Sequence, residues 1–285
     1  MTKITIILPA KNESAALVSL LPRIKQEMPD VEIIVVNDGS TDGTIACCES
    51  NQVRTVTHPN SKGNGAAIKS GARAATGDVL VFMDADGQHK PEDIPRLLEK
   101  LAEGFDMAVG ARTRQSQAGV HRAAANGFYN RLASWMVDQK VRDLTSGFRA
   151  VKAAKFKQFL YLLPNGFSYP TTITMSFFRA GYSVSYVSIE APKRTGKSHI
   201  SPIKDGFRFL LIIFKIGTLY SPLKLFLPIS LSFFLTGIGY YLYTFLTVHR
   251  FTNMSALMFL SAIFVFLIGL VSEQITALNY KDSND

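Results

Sequence analysis

The stretch "DVLVFMDADGQHKPEDI", Asp78 to Ile94, decides the fold. Five consecutive apolar residues, Val79 to Met83, end abruptly in two aspartates one residue apart, Asp84 and Asp86, with Gln88 and His89 just beyond. A strand that is apolar at every position is covered on both faces, as in a parallel sheet sandwiched between helices. Carboxylates placed at its carboxyl end stand where such sheets bind ligands.

Working outward, "KITIILP", "VEIIVVND", "VRTVTH" and "FDMAVGAR" read as further buried strands. Between them "SAALVSLLPRIKQEM", "TIACCES", "GAAIKSGARAA" and "PEDIPRLLEKLAEG" read as helices. The alternation predicts an α/β domain with a mostly parallel sheet flanked by helices. Its strands end in Pro9 to Glu13, Asn37 and Asp38, His58, and Asp84 to Gln88, so the polar endings define one crevice.

The chain has 285 residues, enough for one domain with a real core and an appendage. After Ser221 it becomes almost uncharged. The stretches 223–248 and 254–272 approach or exceed the roughly 20 apolar residues that cross a bilayer, so they read as two transmembrane helices joined by "HRFTN". Lys204, Arg208, Lys215 and Lys224 flank the first span against Arg250 alone in the far loop, which predicts a cytoplasmic location for the large domain and both termini. Ahead of the spans, "SPIKDGFRFLLIIFKIGTLY" alternates apolar and basic positions at helical spacing and reads as an amphipathic helix in the headgroup layer. The expected organisation is a catalytic domain over 1–199, a juxtamembrane region over 200–221, a hairpin over 222–278 and a tail over 279–285. The hairpin is also a surface on which copies of the chain can self-associate.

The net charge of +9 suits an anionic membrane or a phosphorylated substrate. Nucleic acid is disfavoured because the basic residues cluster toward the membrane junction. Adjacent Cys47 and Cys48 are poorly arranged for a structural disulfide, which points to a reducing compartment. No cleavable targeting segment is read at the N-terminus.

Several motifs fail on inspection. In "SKGNGAAIKSG" Ile68 stands where a Walker loop or a dinucleotide fingerprint needs glycine. "DADGQHKPEDIP" has His89 and Pro95 where a calcium loop needs Gly and Glu. No Ser-His-Asp set or zinc spacing is evident. The single tryptophan, Trp135, lacks the Gln-x-x-Arg-Trp context of processive polysaccharide synthases. What remains is a pair of hard oxygen ligands suited to Mg²⁺ or Mn²⁺, with the other coordination positions left to water and substrate phosphate.

The segments "ILPAKNE", "VVNDGSTDGT", "KGNGAAIKSG" and "DADGQH", in this order, resemble family 2 glycosyltransferases of the A-type fold. With "DLTSGFRA" and the C-terminal hairpin, they are similar to the polyprenyl (dolichyl or undecaprenyl) phosphate sugar synthases, such as dolichyl phosphate mannose synthases. The resemblance implies transfer of one sugar from a nucleotide diphosphate sugar to a polyprenyl phosphate, with inversion, at a bacterial inner membrane. A UDP-sugar is favoured as donor, with GDP-mannose left open.

The same resemblance implies that Pro9, Ala10, Glu13, Asp38, Lys62, Gly63 and Gly65 surround the nucleotide, with Asp38 accepting from the base. It implies Asp84 near the donor ribose and sugar, Asp86 on the metal, and Gln88 in or next to the metal's ligand set. His89 is expected to face solvent or bond to backbone. Arg112, Arg122, Arg131, Arg149, Arg194 and Lys197 are expected at the acceptor phosphate, Arg122 and Arg149 foremost. Asp143 would act as a base, orient the sugar or shape a turn. Two other readings stay open here: transfer to a hydroxyl-bearing lipid, and a nucleotide-sugar-binding membrane scaffold without catalysis.

Overall fold

The computed structural model describes residues 2–113, 120–166, 168–190, 218 and 221–281. They divide into two units, Met1–His199 and Ile200–Asp285.

The first unit is built on a seven-stranded sheet with strands β1 (Ile4–Ala10), β2 (Glu32–Asp38), β3 (Arg54–His58), β4 (Val79–Phe82), β5 (Met107–Arg112), β6 (Arg149–Lys152) and β7 (Val184–Ile189). Their order is β3-β2-β1-β4-β6-β5-β7. All neighbours run parallel except β6, which is antiparallel to both β4 and β5. The five strands read from the sequence are present, as are the helices α1 (Ser14–Glu27), α2 (Thr44–Ser50), α3 (Asn64–Ala74) and α4 (Ile94–Ala102).

Helix α1 shows how the layers form. Leu17, Leu20, Leu21 and Ile24 recur at helical spacing and are all buried in the core with Ile6, Leu8 and Val35 of the sheet. β1 is apolar apart from Thr5, whose hydroxyl donates to Glu32 and accepts from Gly77 N, because helices cover both faces. The chain winds away from β1 toward β2 on one side and toward β4 on the other, which opens a crevice at the carboxyl ends of β1 and β4.

Two loops at that end are tied together. Asp42 accepts from Ser14 N and from Thr44 N, both at 3.1 Å, so one carboxylate serves the starts of α1 and α2. Asn12, in the left-handed region at φ 57°, accepts from Thr41 N at 2.8 Å.

The remaining elements, α5 (Val120–Val137), α6 (Ala153–Lys157) and α7 (Tyr169–Arg179), complete the unit. Every residue of α7 from Tyr169 to Phe177 is buried. Its hydroxyls are satisfied locally: Thr172, Thr174 and Ser176 each donate to the carbonyl four residues back.

The second unit contains α8 (Pro222–Val248) and α9 (Asn253–Lys281). Each includes a stretch long and apolar enough to cross a membrane, and most of its surface is not covered by protein. At 1.5 Å per residue each span reaches about 40 Å, more than the ~30 Å hydrocarbon core. The two helices approach at Gly237, against Met258 and Phe259, and at Gly269, against Phe226. Ser230 Oγ donates across to Ala262 O at 2.7 Å, and Glu273 accepts from Leu223 N at the start of α8 at 3.2 Å. The juxtamembrane region 200–221, apart from Thr218 and Ser221, lies outside the described residues.

Candidate active site

Asp84 and Asp86 leave the carboxyl end of β4 half-buried, at the crevice the topology opens. Asp86 Oδ1 accepts from Gln88 N at 3.1 Å, a local turn that fixes the carboxylate's direction. Of the two placements expected for His89, facing solvent or bonded to backbone, the structure shows the second, with the ring buried. Its Nδ1 accepts from Asp84 N at 3.2 Å and its ring stacks on Phe148, centroids 5.0 Å apart. Burial holds the imidazole's pKa below its usual value although Asp84 and Asp86 pull it upward, so the ring is neutral, as an accepting Nδ1 requires.

The antiparallel strand β6 explains what joins this pair. Arg149 at its start aligns with Phe82 at the end of β4, so the preceding segment, Asp143 to Phe148, emerges beside the two aspartates. Gly147 lies directly against Asp84: a Cβ there would stand 3.0 Å from Asp84 Oδ2. A side chain there would require the Asp84 carboxylate to give by a few tenths of an ångström. The "DLTSGFR" motif is therefore a wall of the site.

At the end of β5, Arg112 forms a fork with the buried Asp143, Nε to Oδ2 at 2.8 Å and Nη2 to Oδ1 at 3.0 Å, and Nη2 also reaches Thr145 Oγ1 at 2.6 Å. Burial raises the Asp143 pKa, but the hydrogen bonds and charge of Arg112, helped by the backbone N–H groups of Arg112 and Thr145, outweigh it and hold the carboxyl below its usual value. Asp143 is thus an ionised partner of Arg112.

Three sets of expected site residues are committed to contacts within the protein. Arg149 is fully buried. Its guanidinium donates to Ser146 O, to Pro170 O at 3.2 Å and to Thr174 Oγ1 at 3.2 Å, and it lies 5.9 Å from the Tyr169 ring centroid. It braces the loop behind Asp84 from within, so direct contact with an acceptor phosphate does not fit its placement.

Asp38 also turns inward. Its oxygens accept from His58 Nδ1 at 2.7 Å, Ser61 Oγ at 2.8 Å, Lys62 N at 2.8 Å and Gly63 N at 2.9 Å, which fills the roughly four acceptor positions of a carboxylate. A base N–H therefore has no vacant position on it. His58 Nε2 is 2.8 Å from Ser70 Oγ, so Asp38, His58 and Ser70 form a hydrogen-bonded row that the sequence order did not reveal. With His58 and Asp38 both buried, the row anchors the loop 60–63.

The glycines of "KGNG" serve packing. Ala66 N donates to Asn165 O at 3.1 Å, and a Cβ on Gly65 would stand 2.1 Å from Pro164 O. The backbone that approaches the start of α3 is thus the segment 164–166. Lys69 clamps the same segment through Leu163 O and Asn165 Oδ1.

Of the other expected residues, Pro9 and Ala10 are buried at the end of β1, Glu13 is half-buried beside Thr44, and Lys62 is exposed. Arg131 is exposed on α5. Arg122 lies on α5, but its side chain is outside the described residues, as are Arg194 and Lys197. One cation was overlooked: Arg142 is exposed next to Asp143, and its carbonyl accepts from Asn130 Nδ2 at 2.7 Å. Its place directly before "DLTSGFR" was the signal available.

Asp38 and Asp42 yield an acid-stability prediction. Burial raises both carboxyls, but hydrogen bonds outweigh it, from His58, Lys62, Gly63 and Ser61 on Asp38 and from Thr44 and Ser14 on Asp42. Each is held at about 2 against an ordinary 3.8. A depressed folded value means the contribution is full above the unfolded value and is lost as pH falls through the folded one. Thermal stability of the wild type is therefore expected to drop between about pH 4 and pH 2. Asp38→Asn, less stable at neutral pH, should show a shallower drop; parallel melting profiles would contradict this.

A family model described as "Glycosyl transferase family 2" matches residues 5–160. The chain belongs to this family. A second model, "GtrB C-terminal hairpin", matches residues 221–278. Glycosyltransferase AglJ of Haloferax volcanii is 25% identical over 246 residues, 84% of this chain and 80% of the relative. The polyprenol monophosphomannose synthase of Mycolicibacterium smegmatis is 28% identical over 204 residues, covering 66% and 77%. Among solved structures, glucosyl-3-phosphoglycerate synthase of Mycobacterium tuberculosis, in complex with Mn²⁺, UDP and phosphoglyceric acid, superposes with a TM-score of 0.62. It is 22% identical and covers 76% of this chain and 78% of its own, so the likeness establishes a shared glycosyltransferase fold. The family 2 domain and the hairpin thus occupy the two structural units in turn.

Proposed function

We propose that this family 2 glycosyltransferase moves one sugar from a nucleotide diphosphate sugar to a polyprenyl phosphate at the cytoplasmic membrane face, with inversion. The observation that carries the reading is the meeting of Asp84 with the Asp143–Phe148 wall: the donor motif and the "DLTSGFR" segment share one crevice, pressed together at Gly147. The similarity to a polyprenol monophosphomannose synthase supports the acceptor class.

The two half-buried carboxylates suit a Mg²⁺ or Mn²⁺ ion whose remaining positions come from water and diphosphate, since His89 has already committed Nδ1 to backbone. Asp86 and Asp84 would hold the ion, with Gln88 alongside, and the ion would neutralise charge on the departing nucleoside diphosphate. The chain's own residues do the rest. Gly147 and the buried Arg149 fix the wall, and exposed Arg131 and Arg142, with partly exposed Arg112, supply positive charge for the acceptor.

A lipid phosphate monoester has a second pKa of about 6 and arrives largely ionised, so positioning and charge suffice and no base is needed. The commitment of Asp143 to Arg112 favours this acceptor over a neutral hydroxyl, which would require a free base. Two candidate membrane crossings with basic residues concentrated before the first support a cytoplasmic location for the catalytic unit of 1–199 and both termini.

The deciding experiment supplies UDP- and GDP-sugars in turn with undecaprenyl and dolichyl phosphates and reads the lipid products by mass spectrometry. A glycosyl phosphoprenol from one donor is expected. Sugar transfer to diacylglycerol with none to prenyl phosphate would reject the proposal.

A further inference from the structure

Helix α5 has two unlike faces. Ala133 and Met136 are buried, whereas Phe128 is 59% and Trp135 45% exposed, with exposed Arg131 between them. At 3.6 residues per turn Phe128 and Trp135 fall about 20° apart around the axis and about 10 Å apart along it, so they form one stripe. They are the only exposed phenylalanine and tryptophan among the described residues of the first unit. Single apolar residues scattered on a surface are ordinary. Two large aromatics aligned on one face around a cation are a different pattern.

Arg131 lies within the stripe, and the segment that follows the helix exposes Lys140 and Arg142 alongside Asp138. Aromatic rings flanked by Lys and Arg match the boundary between headgroups and acyl chains, where a ring buries its apolar body and cations meet anionic lipid. The same chain carries two helices of membrane-spanning length, which would keep a bilayer at high local concentration around any such face.

We infer that the Phe128–Arg131–Trp135 face of α5 docks the catalytic unit onto the anionic headgroup layer of the bilayer. The inference rests on the membrane reading of the hairpin and adds a contact that neither the sugar nor the metal requires. It also has a route to the site. Asn130 on the same helix donates to Arg142 O at 2.7 Å and accepts from Leu144 N at 3.0 Å. Three residues beyond Leu144, Gly147 presses on Asp84. A docked α5 therefore holds the wall of the crevice close to the layer in which a lipid phosphate lies.

Trp135 is the chain's only tryptophan, so its emission reports this face alone. The full-length protein would be placed in nanodiscs of anionic lipid bounded by a tryptophan-free polymer belt, with or without lipids brominated near the headgroup. Emission is expected to fall by about half, because a ring seated ~5–10 Å into the boundary lies beside the bromines. Phe128→Ser and Arg131→Gln, which retain the reporter, should each reduce that quenching. Unquenched Trp135 in discs that carry the protein, open to aqueous acrylamide, would overturn the docking inference and leave the membrane hairpin intact. Trp135 shielded from acrylamide yet untouched by bromine would assign the face to a protein neighbour and overturn it too. Failure of the protein to co-elute with discs would sink the hairpin reading and the docking together.

Discussion

Asp86→Asn is expected to lower sugar transfer by roughly 10²–10³-fold or more, with little change in melting temperature. The substitution removes one negative charge and keeps the shape. The Asn carbonyl can still accept from Gln88 N, as Asp86 Oδ1 does at 3.1 Å, so the turn survives. Being half-buried at a strand end, position 86 tolerates the change without opening a cavity. What is lost is a hard anionic ligand, and with two carboxylates in the pair that loss halves the protein's charge on the ion. The expected readings are weakened Mn²⁺ binding by calorimetry in the presence of nucleoside diphosphate and a collapse of turnover that excess metal restores only in part. Full activity in the variant would refute the metal role and leave the fold assignment untouched.

The first half of the sheet was legible because its physics is local. β1, β2 and β4 are mostly apolar runs with polar residues at or just beyond their carboxyl ends, and such runs have few readings other than buried parallel strands. β6 and β7 escaped that reading for opposite reasons. β6 is four residues long and begins with a buried arginine, whose burial depends on Ser146, Pro170 and Thr174, partners up to 25 residues distant. β7 is an edge strand with a half-buried pattern that looks like loop. Helix α7 is buried all round, so it shows no amphipathic stripe, and its hydroxyls read as polar surface when they are satisfied within the helix.

Residue types were legible at the site, but their orientations were not. "DADGQ" announced a pair of carboxylates at a strand end, and the structure places them there. For Asp38 and Arg149 the sequence shows a charge in a motif and says nothing about which way it points. A carboxylate that serves a ligand and one that ties a loop look alike until His58, Ser61, Lys62 and Gly63 are seen to converge. The glycines of "KGNG" pose the same problem. Close approach is required at Gly65, but by the 164–166 backbone, which lies about a hundred residues away in sequence.

Asp143→Asn is expected to destabilise the first unit by about 2–3 kcal/mol, a melting shift of roughly 4–12 °C for a unit of this size. Asp143 is 3% exposed at its side chain and its partner Arg112 29%. Removing one member of a fully buried pair costs ~3–5 kcal/mol because the other charge is stranded. Here Arg112 retains some solvent, which moderates the penalty. The sign of the pH dependence follows from the depressed Asp143 pKa. The stabilisation is full above the ordinary carboxylate value of 3.8 and is lost as pH falls through the lower folded value, so wild type and variant should converge in acid and separate toward neutrality. A double variant, Arg112→Met with Asp143→Leu, replaces the pair with apolar side chains and should recover much of the lost stability, since neither charge is left alone. Its turnover should remain low if Arg112 also supplies charge to the acceptor. Were Asp143 instead a base acting on a hydroxyl acceptor, the single variant would lose activity at unchanged melting temperature and its pH–rate profile would lose the acid limb. Melting curves and rate profiles on the same preparations therefore separate a carboxylate that holds an arginine in place from one that removes a proton.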